Sequence, residues 1–196
     1  MIILLDNGHG IETPGKRSPD GIFREYHFNR EIAFRVASEL TDCGYDARLL
    51  VPEESDIPLA ERCRRANALS AGVGAQNAIL VSIHVNAAGN GSQWLNATGW
   101  SAYTSRGNTR ADALATCLYT AAAKYLPGQC LRTDYTDNDP DLEADFYILR
   151  HTLCPAVLTE NLFMDNANEL AFLQSHSGKE AITILHVEGI REYLCE

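Results

Sequence analysis

The sequence predicts an α/β fold, a three-layer α/β/α sandwich with a mostly parallel or mixed central sheet. Apolar runs typical of buried strands alternate along the chain with segments whose apolar residues recur at helical spacing. The runs at 2–5 and 79–83 are almost continuously apolar, as in parallel strands that are buried on both faces. With 196 residues and no long linker, repeat or low-complexity tract, the chain is expected to form one domain over 1–196.

The first third of the chain predicts a strand, a helix and a second strand. The strand at 2–5 breaks into a turn and is followed by a loop rich in turn formers over 13–21. A helix is predicted over 25–42, because Phe28, Ile32, Val36 and Leu40 repeat every four residues, and Gly44 ends it. A short strand over 46–51 follows.

The middle of the chain predicts another helix and two further strands. The helix spans 58–71, with Asp56 as its N-cap, Leu59 and Ala66 facing the core, and Gly72 at its end. Strands are predicted over 79–85 and 99–104. An alanine-rich helix over 109–125 comes next.

The last third is expected to begin with a solvated loop, because 131–144 is rich in acidic residues and poor in apolar ones. A strand at 156–160 follows. A C-terminal helix is predicted over about 177–194, with an apolar face that includes Ile182, Leu185 and Ile190.

Composition excludes several classes of function. The formal net charge is −10 and the basic residues are scattered, which argues against a nucleic-acid partner. The densest basic group, Arg62, Arg64 and Arg65, has the spacing of a helix surface. No apolar stretch is long enough to span a membrane. Met1 runs directly into the first strand with no secretion signal before it, which leaves the export route open.

The six cysteines do not form a metal-binding or redox motif, since none belongs to a Cys-x-x-Cys pair. Their wide spacing in a domain of this size favours small buried apolar side chains over a disulfide framework.

Two histidines and a carboxylate follow apolar strands in the same way. His9 follows the first strand within Gly8-His9-Gly10, His84 lies in the strand at 79–85, and Glu160 ends the strand at 156–160. Ligands and catalytic groups of α/β folds gather at the carboxyl ends of strands. The three side chains are therefore expected to meet in one site.

The residue types favour a catalytic zinc site. Such sites commonly hold one Zn²⁺ with two histidines and a glutamate and leave a fourth position for water. Glu25, at the start of the first helix, is the candidate third ligand beside His9 and His84, because the loop before it can bring the helix back over the strand edge. An acid at a helix start is also explained by the helix dipole.

Glu160 is the candidate general acid/base, because an unpaired carboxylate at the end of a buried strand is costly without a role. The set suits hydrolysis of an amide or peptide bond. Asn86 and Asn161 are candidates for binding substrate or for holding the geometry around the site, and turn residues are an equal alternative. The other four histidines are interpreted as structural: His27, His151, His176 and His186.

Five segments resemble, in order and over nearly the whole chain, the zinc-dependent N-acetylmuramoyl-L-alanine amidases of the Amidase_3 type. They are Leu5-Asp6-Asn7-Gly8-His9-Gly10, Glu25 with Asn29 and Ile32-Ala33, Leu59-x-x-Arg62 with Ala66-Asn67, Ser82-Ile83-His84-Val85-Asn86-Ala87, and the stretch 155–166 around Glu160. Two stretches depart from the family pattern: Val51-Pro52-Glu53 after the second strand, and Glu160-Asn161-Leu162-Phe163.

The resemblance implies one zinc ion held by His9, Glu25 and His84, with Glu160 as general acid/base. It implies a peptidoglycan substrate, cut at the amide between the lactyl group of N-acetylmuramic acid and L-alanine, and hence action on the cell wall in the periplasm or outside the cell. We expect a monomer whose site is not plugged by a helix. Three alternatives are another zinc-dependent amide hydrolase (a peptidase or deacylase), a non-enzymatic wall-binding module and a nucleotide-binding domain. The chain lacks the glycine-rich motifs of nucleotide-binding domains, which argues against the third.

Overall fold

A computed structural model describes residues 1–195 and contains a six-stranded sheet in the order β2-β1-β3-β6-β4-β5. The strands are β1 (Ile2–Asn7), β2 (Asp46–Leu49), β3 (Ala78–Asn86), β4 (Ser101–Thr104), β5 (Leu142–Glu143) and β6 (Ala156–Phe163). β4 runs antiparallel to β6, and the other neighbouring pairs are parallel. The predicted mixed sheet is confirmed.

Helices cover both faces of the sheet. They are α1 (Glu25–Asp42), α2 (Leu59–Val73), α3 (Ala111–Tyr125), α4 (Tyr147–His151), α5 (Ala167–Gln174) and α6 (His176–Cys195), with a 3₁₀ turn at Ala75–Asn77. Alternate β1 side chains enter different cores: Ile3 and Leu5 pack with α1, α3 and α6, whereas Ile2 and Leu4 pack with α2 and α4. Every β1 residue is buried, in keeping with the apolar run at 2–5, and the strand ends in the polar residues Asp6 and Asn7.

The predicted ends of α2 are wrong. Pro58 occupies the N-cap position without a side-chain cap, because the Asp56 carboxylate instead accepts the hydroxyl of Thr13. Leu59 is 50% exposed rather than buried. The helix continues through Gly72 to Val73 and is capped by Gly74, whose φ of 87° lies in the left-handed region that glycine adopts without strain.

Two short helices and one strand were not predicted. α5 begins at a true N-cap, since the Asn166 side chain accepts hydrogen bonds from the backbone of Asn168 and Glu169. α4 has only five residues, too few for a helical period to appear in the sequence. The acidic stretch 131–144 is not wholly solvated, because it contains β5 and the buried Asp141.

None of the six cysteines lies in a disulfide of the described chain. Cys63, Cys117 and Cys154 are buried as predicted, but Cys43, Cys130 and Cys195 are exposed. Among the described helices, none is long and apolar enough to cross a membrane.

The spacing of Arg62 predicts a position on the surface of α2, and this prediction is wrong. The residue is only 2% exposed. Its guanidinium donates to Asp6 Oδ1 at 2.7 Å and to the carbonyl of Asn7 at 2.8 Å. It also donates to the carbonyls of Ile57 at 2.8 Å and His9 at 3.1 Å. One side chain thus fastens the carboxyl end of β1 to α2 and to the loop before it.

We expect Arg62→Met to destabilise the fold by about 3–5 kcal/mol, because it leaves the Asp6 carboxylate buried without its charge partner. Urea unfolding with chelator present measures this. Arg64→Met removes an exposed guanidinium that pairs with Glu61 and is the matched control, with an effect within about 0.5 kcal/mol. Equal effects of the two substitutions would contradict the buried-pair assignment, as would additive effects of Asp6→Asn and Arg62→Met in the double variant.

Asp141 gives the fold a pH dependence. Its Oδ2 accepts the Thr104 hydroxyl at 2.6 Å, while its Oδ1 is buried without a hydrogen-bond partner. Burial raises the pKa of the Asp141 carboxyl to about 8, and the neighbouring Asp139 contributes to the rise. The folded protein therefore keeps a proton that the unfolded chain releases above about pH 4. This contribution to stability is complete below that pH and is lost as the pH rises towards 8.

We expect Asp141→Asn to stabilise the protein relative to wild type at pH 8, and this difference to shrink as the pH is lowered to 5. The amide keeps the acceptor for Thr104 and carries no charge. Thermal unfolding of both proteins across this range measures the difference. Asp145→Asn, at an exposed position, should give a nearly constant difference. A constant difference for Asp141→Asn as well would refute the shifted titration.

Candidate metal centre

Three side chains from three elements converge at the carboxyl edge of the sheet. β1 and β3 are parallel neighbours with Asn7 opposite Ile83, so His9 and His84 emerge beside each other. Glu25, the first residue of α1, lies between them. One nitrogen or oxygen from each of His9, Glu25 and His84 lies within 4.8 Å of the others.

The Glu25 carboxylate contacts both imidazoles. Its Oε1 is 3.1 Å from His84 Nδ1 and 3.3 Å from His9 Nε2, and it accepts the Val85 backbone N–H at 3.1 Å. Burial would raise the pKa of this 1%-exposed carboxyl, but the adjacent imidazoles of His84 and His9 outweigh it and hold the pKa well below its usual value. Glu25 is therefore ionised.

The imidazoles respond in opposite directions. Burial lowers the pKa of His9, and the Glu25 carboxylate only partly offsets this effect. Burial also acts to lower the pKa of His84, but there Glu25 outweighs it, and the pKa is raised. The two side chains are 18% and 16% exposed, so solvent reaches the site.

Two atoms of the group point to a cation. His9 Nε2 and Glu25 Oε2 are buried and have no hydrogen-bond partner. Unpaired buried acceptors are costly, and both are atoms that bind metal ions. Two imidazoles and one carboxylate are a common ligand set of catalytic zinc with one position left open. The residues present therefore fit a divalent metal ion.

The loop that carries His9 is held in an uncommon conformation. His9 has φ = 67°, which is unfavourable for a residue with a side chain. Its carbonyl accepts from Arg62 and from Arg30 at 3.1 Å, and Asn29 donates to the Gly8 carbonyl at 3.1 Å. A Cβ built on Gly8 would lie 2.1–2.5 Å from atoms of the His84 ring. Only glycine allows this approach.

Glu160 faces the same space. It lies opposite His84 in the β3–β6 pairing, and both line a cavity of about 470 Å³ that also includes His9 and Lys16. Its Oε2 is buried without a hydrogen-bond partner. Burial raises the pKa of the Glu160 carboxyl to about 7, opposed by the charge of His84. A carboxyl with this pKa exchanges protons near neutral pH.

Part of the cavity lining is apolar. Ile57, Pro58 and Leu59 come from the loop before α2 and its first residue, and residues 146–148 come from the start of α4. The cavity thus joins a polar centre to a surface suited to the carbon skeleton of a substrate.

Asn161 lies beneath the site rather than in the cavity. It is fully buried; its amide donates to the His84 carbonyl at 2.9 Å and to the Thr159 hydroxyl, and its oxygen accepts the indole N–H of Trp100. Thr159 in turn contacts His186 at 2.9 Å. Of the roles predicted for Asn161, these contacts match that of holding geometry.

Asn86 and the remaining histidines lie outside the cavity lining. The Asn86 side chain accepts from the next backbone N–H, that of Ala87, as a turn residue does. His27, His151 and His176 are exposed, whereas His186 is buried. The sequence did not reveal Lys16 or Arg30 as neighbours of the site. For Asn29 and Arg62 the only signal was their place in two of the segments that resemble the family.

The chain is similar to known proteins over nearly its whole length. The chain is 33% identical to the endolysin of Bacillus phage SPP1, covering 98% of this chain and 66% of the endolysin. It is 28% identical to the amidase AmiC of Neisseria meningitidis, covering 98% of this chain and 52% of AmiC. The chain thus spans about half to two thirds of the length of these relatives. The solved N-acetylmuramoyl-L-alanine amidase of Clostridium difficile 630 superposes with a TM-score of 0.83 at 26% identity, covering 100% of this chain and 97% of that one.

Residues 3–192 match the Amidase_3 family, described as N-acetylmuramoyl-L-alanine amidase. The match includes all three convergent side chains and Glu160. The chain belongs to this family of amidases.

Proposed function

We propose that the chain is a zinc-dependent amidase that hydrolyses the bond between the lactyl group of N-acetylmuramic acid and L-alanine in peptidoglycan. The observation that carries the proposal is the convergence of His9, Glu25 and His84, with unpartnered ligand atoms, beside a protonatable Glu160. Family membership supplies the substrate class.

In this proposal one zinc ion is held by His9, Glu25 and His84, and when bound it supplies a positive charge that polarises the carbonyl and makes water more acidic. Glu25, ionised and held by Val85, fixes the spacing of the two imidazoles.

Glu160 moves the proton. Its carboxylate takes a proton from the attacking water as the new C–O bond forms to the amide carbon. As the C–N bond breaks, it delivers that proton to the nitrogen of L-alanine. A pKa near 7 allows the same group to accept and then release a proton at neutral pH. The products are the lactyl carboxylate and a free stem peptide.

We further propose that residues 1–196 act as a single catalytic domain and a monomer on the cell wall, in the periplasm or outside the cell. Both apolar cores share the one sheet, which supports a single folding unit. We infer no role for a nucleic-acid partner, in keeping with the charge of −10. A substrate-contacting role for Asn86 and Asn161 lacks support from their contacts.

We expect Glu160→Gln to keep bound zinc but to lose release of stem peptide, because the amide cannot take a proton from water. The assay incubates zinc-loaded protein with peptidoglycan fragments and detects peptides with an L-alanine N-terminus by mass spectrometry. Exposed Glu180→Gln is the control and should behave like wild type. Release of stem peptide by Glu160→Gln at the wild-type rate would refute the assigned role. A wild-type protein that binds zinc but cleaves a different amide would indicate another zinc hydrolase.

We expect His84→Ala to lose both zinc and activity, because it removes one of three ligands. Metal content after dialysis, by elemental analysis, measures this directly. His176→Ala removes a histidine that is 84% exposed and should leave the zinc content unchanged. Stoichiometric zinc in His84→Ala would contradict the ligand assignment.

We expect Gly8→Ala to weaken zinc binding at least tenfold, a loss typical of disturbed ligand support, because the new Cβ would displace the His84 ring. Competition with a chromogenic chelator measures the affinity. Gly72→Ala, where a Cβ meets nothing within 4 Å, is the matched control. Unchanged affinity in Gly8→Ala would show that the ring approach does not position the ligand.

A further inference from the structure

The backbone conformation of Lys16 and a backbone hydrogen bond to Glu25 fix this residue at the edge of the metal centre. It lies in the loop between β1 and α1, where Gly15 and Lys16 have φ values of 71° and 44°. The Lys16 carbonyl accepts the backbone N–H of Glu25 at 3.0 Å. A left-handed conformation is unfavourable for lysine, so the turn is maintained by its surroundings. The side chain therefore starts from a fixed point beside the first residue of α1.

The ammonium of Lys16 faces the centre. Its Nζ is 4.0 Å from Glu25 Oε2, and the side chain lines the cavity with His9, His84 and Glu160 while remaining 45% exposed. Among the described residues that line the cavity, the other lysine or arginine is Arg62. Arg62 is buried and already donates to Asp6 and to three backbone carbonyls. Lys16 is thus the cation of this lining whose ammonium remains open to an incoming molecule.

Stability does not account for this placement. An ion pair at 4.0 Å with a half-exposed lysine contributes little to folding. A fixed positive charge next to metal ligands also repels a bound cation, which is a cost to metal binding. Such a charge is useful where negative charge develops during a reaction. In amide hydrolysis that charge develops on the carbonyl oxygen.

We propose that Lys16 is a further catalytic residue of the amide hydrolysis, whose ammonium donates a hydrogen bond to the scissile carbonyl oxygen. This inference rests on the proposed function. The water oxygen bonds to the carbonyl carbon, and the π electron pair moves onto the carbonyl oxygen, where Lys16 stabilises it without giving up its proton. The pair returns as the C–N bond breaks, and Glu160 delivers the proton of water to the leaving nitrogen.

The test compares Lys16→Met and Lys16→Arg with the control Arg17→Met. Arg17 is the next residue in the chain, and its side chain is exposed and outside the cavity lining. We expect Lys16→Met to lower kcat about 100-fold, a loss typical of removing one oxyanion donor, with KM changed less than twofold. Lys16→Arg should recover about tenfold of the loss, because it restores a charged donor. Arg17→Met should match wild type, and all variants should keep zinc and the wild-type Tm.

A second measurement does not depend on turnover. A phosphinate analogue of the muramoyl-L-alanine amide carries a tetrahedral, negatively charged centre in place of the carbonyl. Calorimetry should show about 100-fold weaker binding of this probe to Lys16→Met than to wild type. Binding of an unreactive, neutral amide analogue should be equal for the two proteins.

The outcomes separate the two proposals. An active wild type with unchanged kcat in Lys16→Met overturns the role of Lys16 alone. A raised KM at constant kcat overturns it in favour of a contact to an anionic group of the bound substrate. Loss of zinc from Lys16→Met overturns it in favour of support for Glu25. A zinc-loaded wild type that releases no stem peptide overturns the proposed function and the inference together.

Discussion

The buried carboxylate of Glu25 is the constraint on which the site depends. An ionised carboxylate that is 1% exposed is stable only if several donors or cations compensate its lost hydration. The fold meets this requirement with the imidazoles of His9 and His84 and the backbone N–H of Val85. These partners come from the loop after β1 and from β3. The carboxylate can therefore be buried only when β1 pairs with β3 in the observed register and the loop before α1 brings the start of that helix beside both strands.

Two hydrogen-bond networks hold these elements in place. Arg62 holds the loop of His9 from one face of the sheet, through its bonds to Asp6 and to the carbonyls of Asn7 and His9. From the other face, His186 on α6 contacts Thr159, and the amide of Asn161 donates both to Thr159 and to the His84 carbonyl. Both histidines are thus fixed through their backbones. Their rings remain free to face a ligand, as preorganised sites require.

The sequence predicted the parts of this arrangement that local patterns encode. Continuous apolar runs marked the parallel strands, and the polar residues at their ends marked His9, His84 and Glu160. The four-residue period marked α1 to its observed bounds. Contacts distant in sequence were beyond these patterns. Arg62 has the spacing of a surface residue, but its burial is explained by acceptors far away in sequence, among them Asp6, 56 positions away. Asp56 is a residue type that often caps helices, but its carboxylate accepts a hydrogen bond from the Thr13 hydroxyl instead.

Glu25 and Glu160 show how one cavity gives two carboxyls opposite properties. Both have one oxygen without a hydrogen-bond partner. Glu25 has imidazoles against its other oxygen, which lower its pKa and make it a permanent anion suited to a cation. Glu160 has no comparable partner, and burial raises its pKa to about 7. When their environments separate the pKa values of two carboxyls, one can act as a fixed charge while the other transfers protons. Because β3 and β6 pair with His84 opposite Glu160, the same register that assembles the ligands also sets the proton-transfer group beside them.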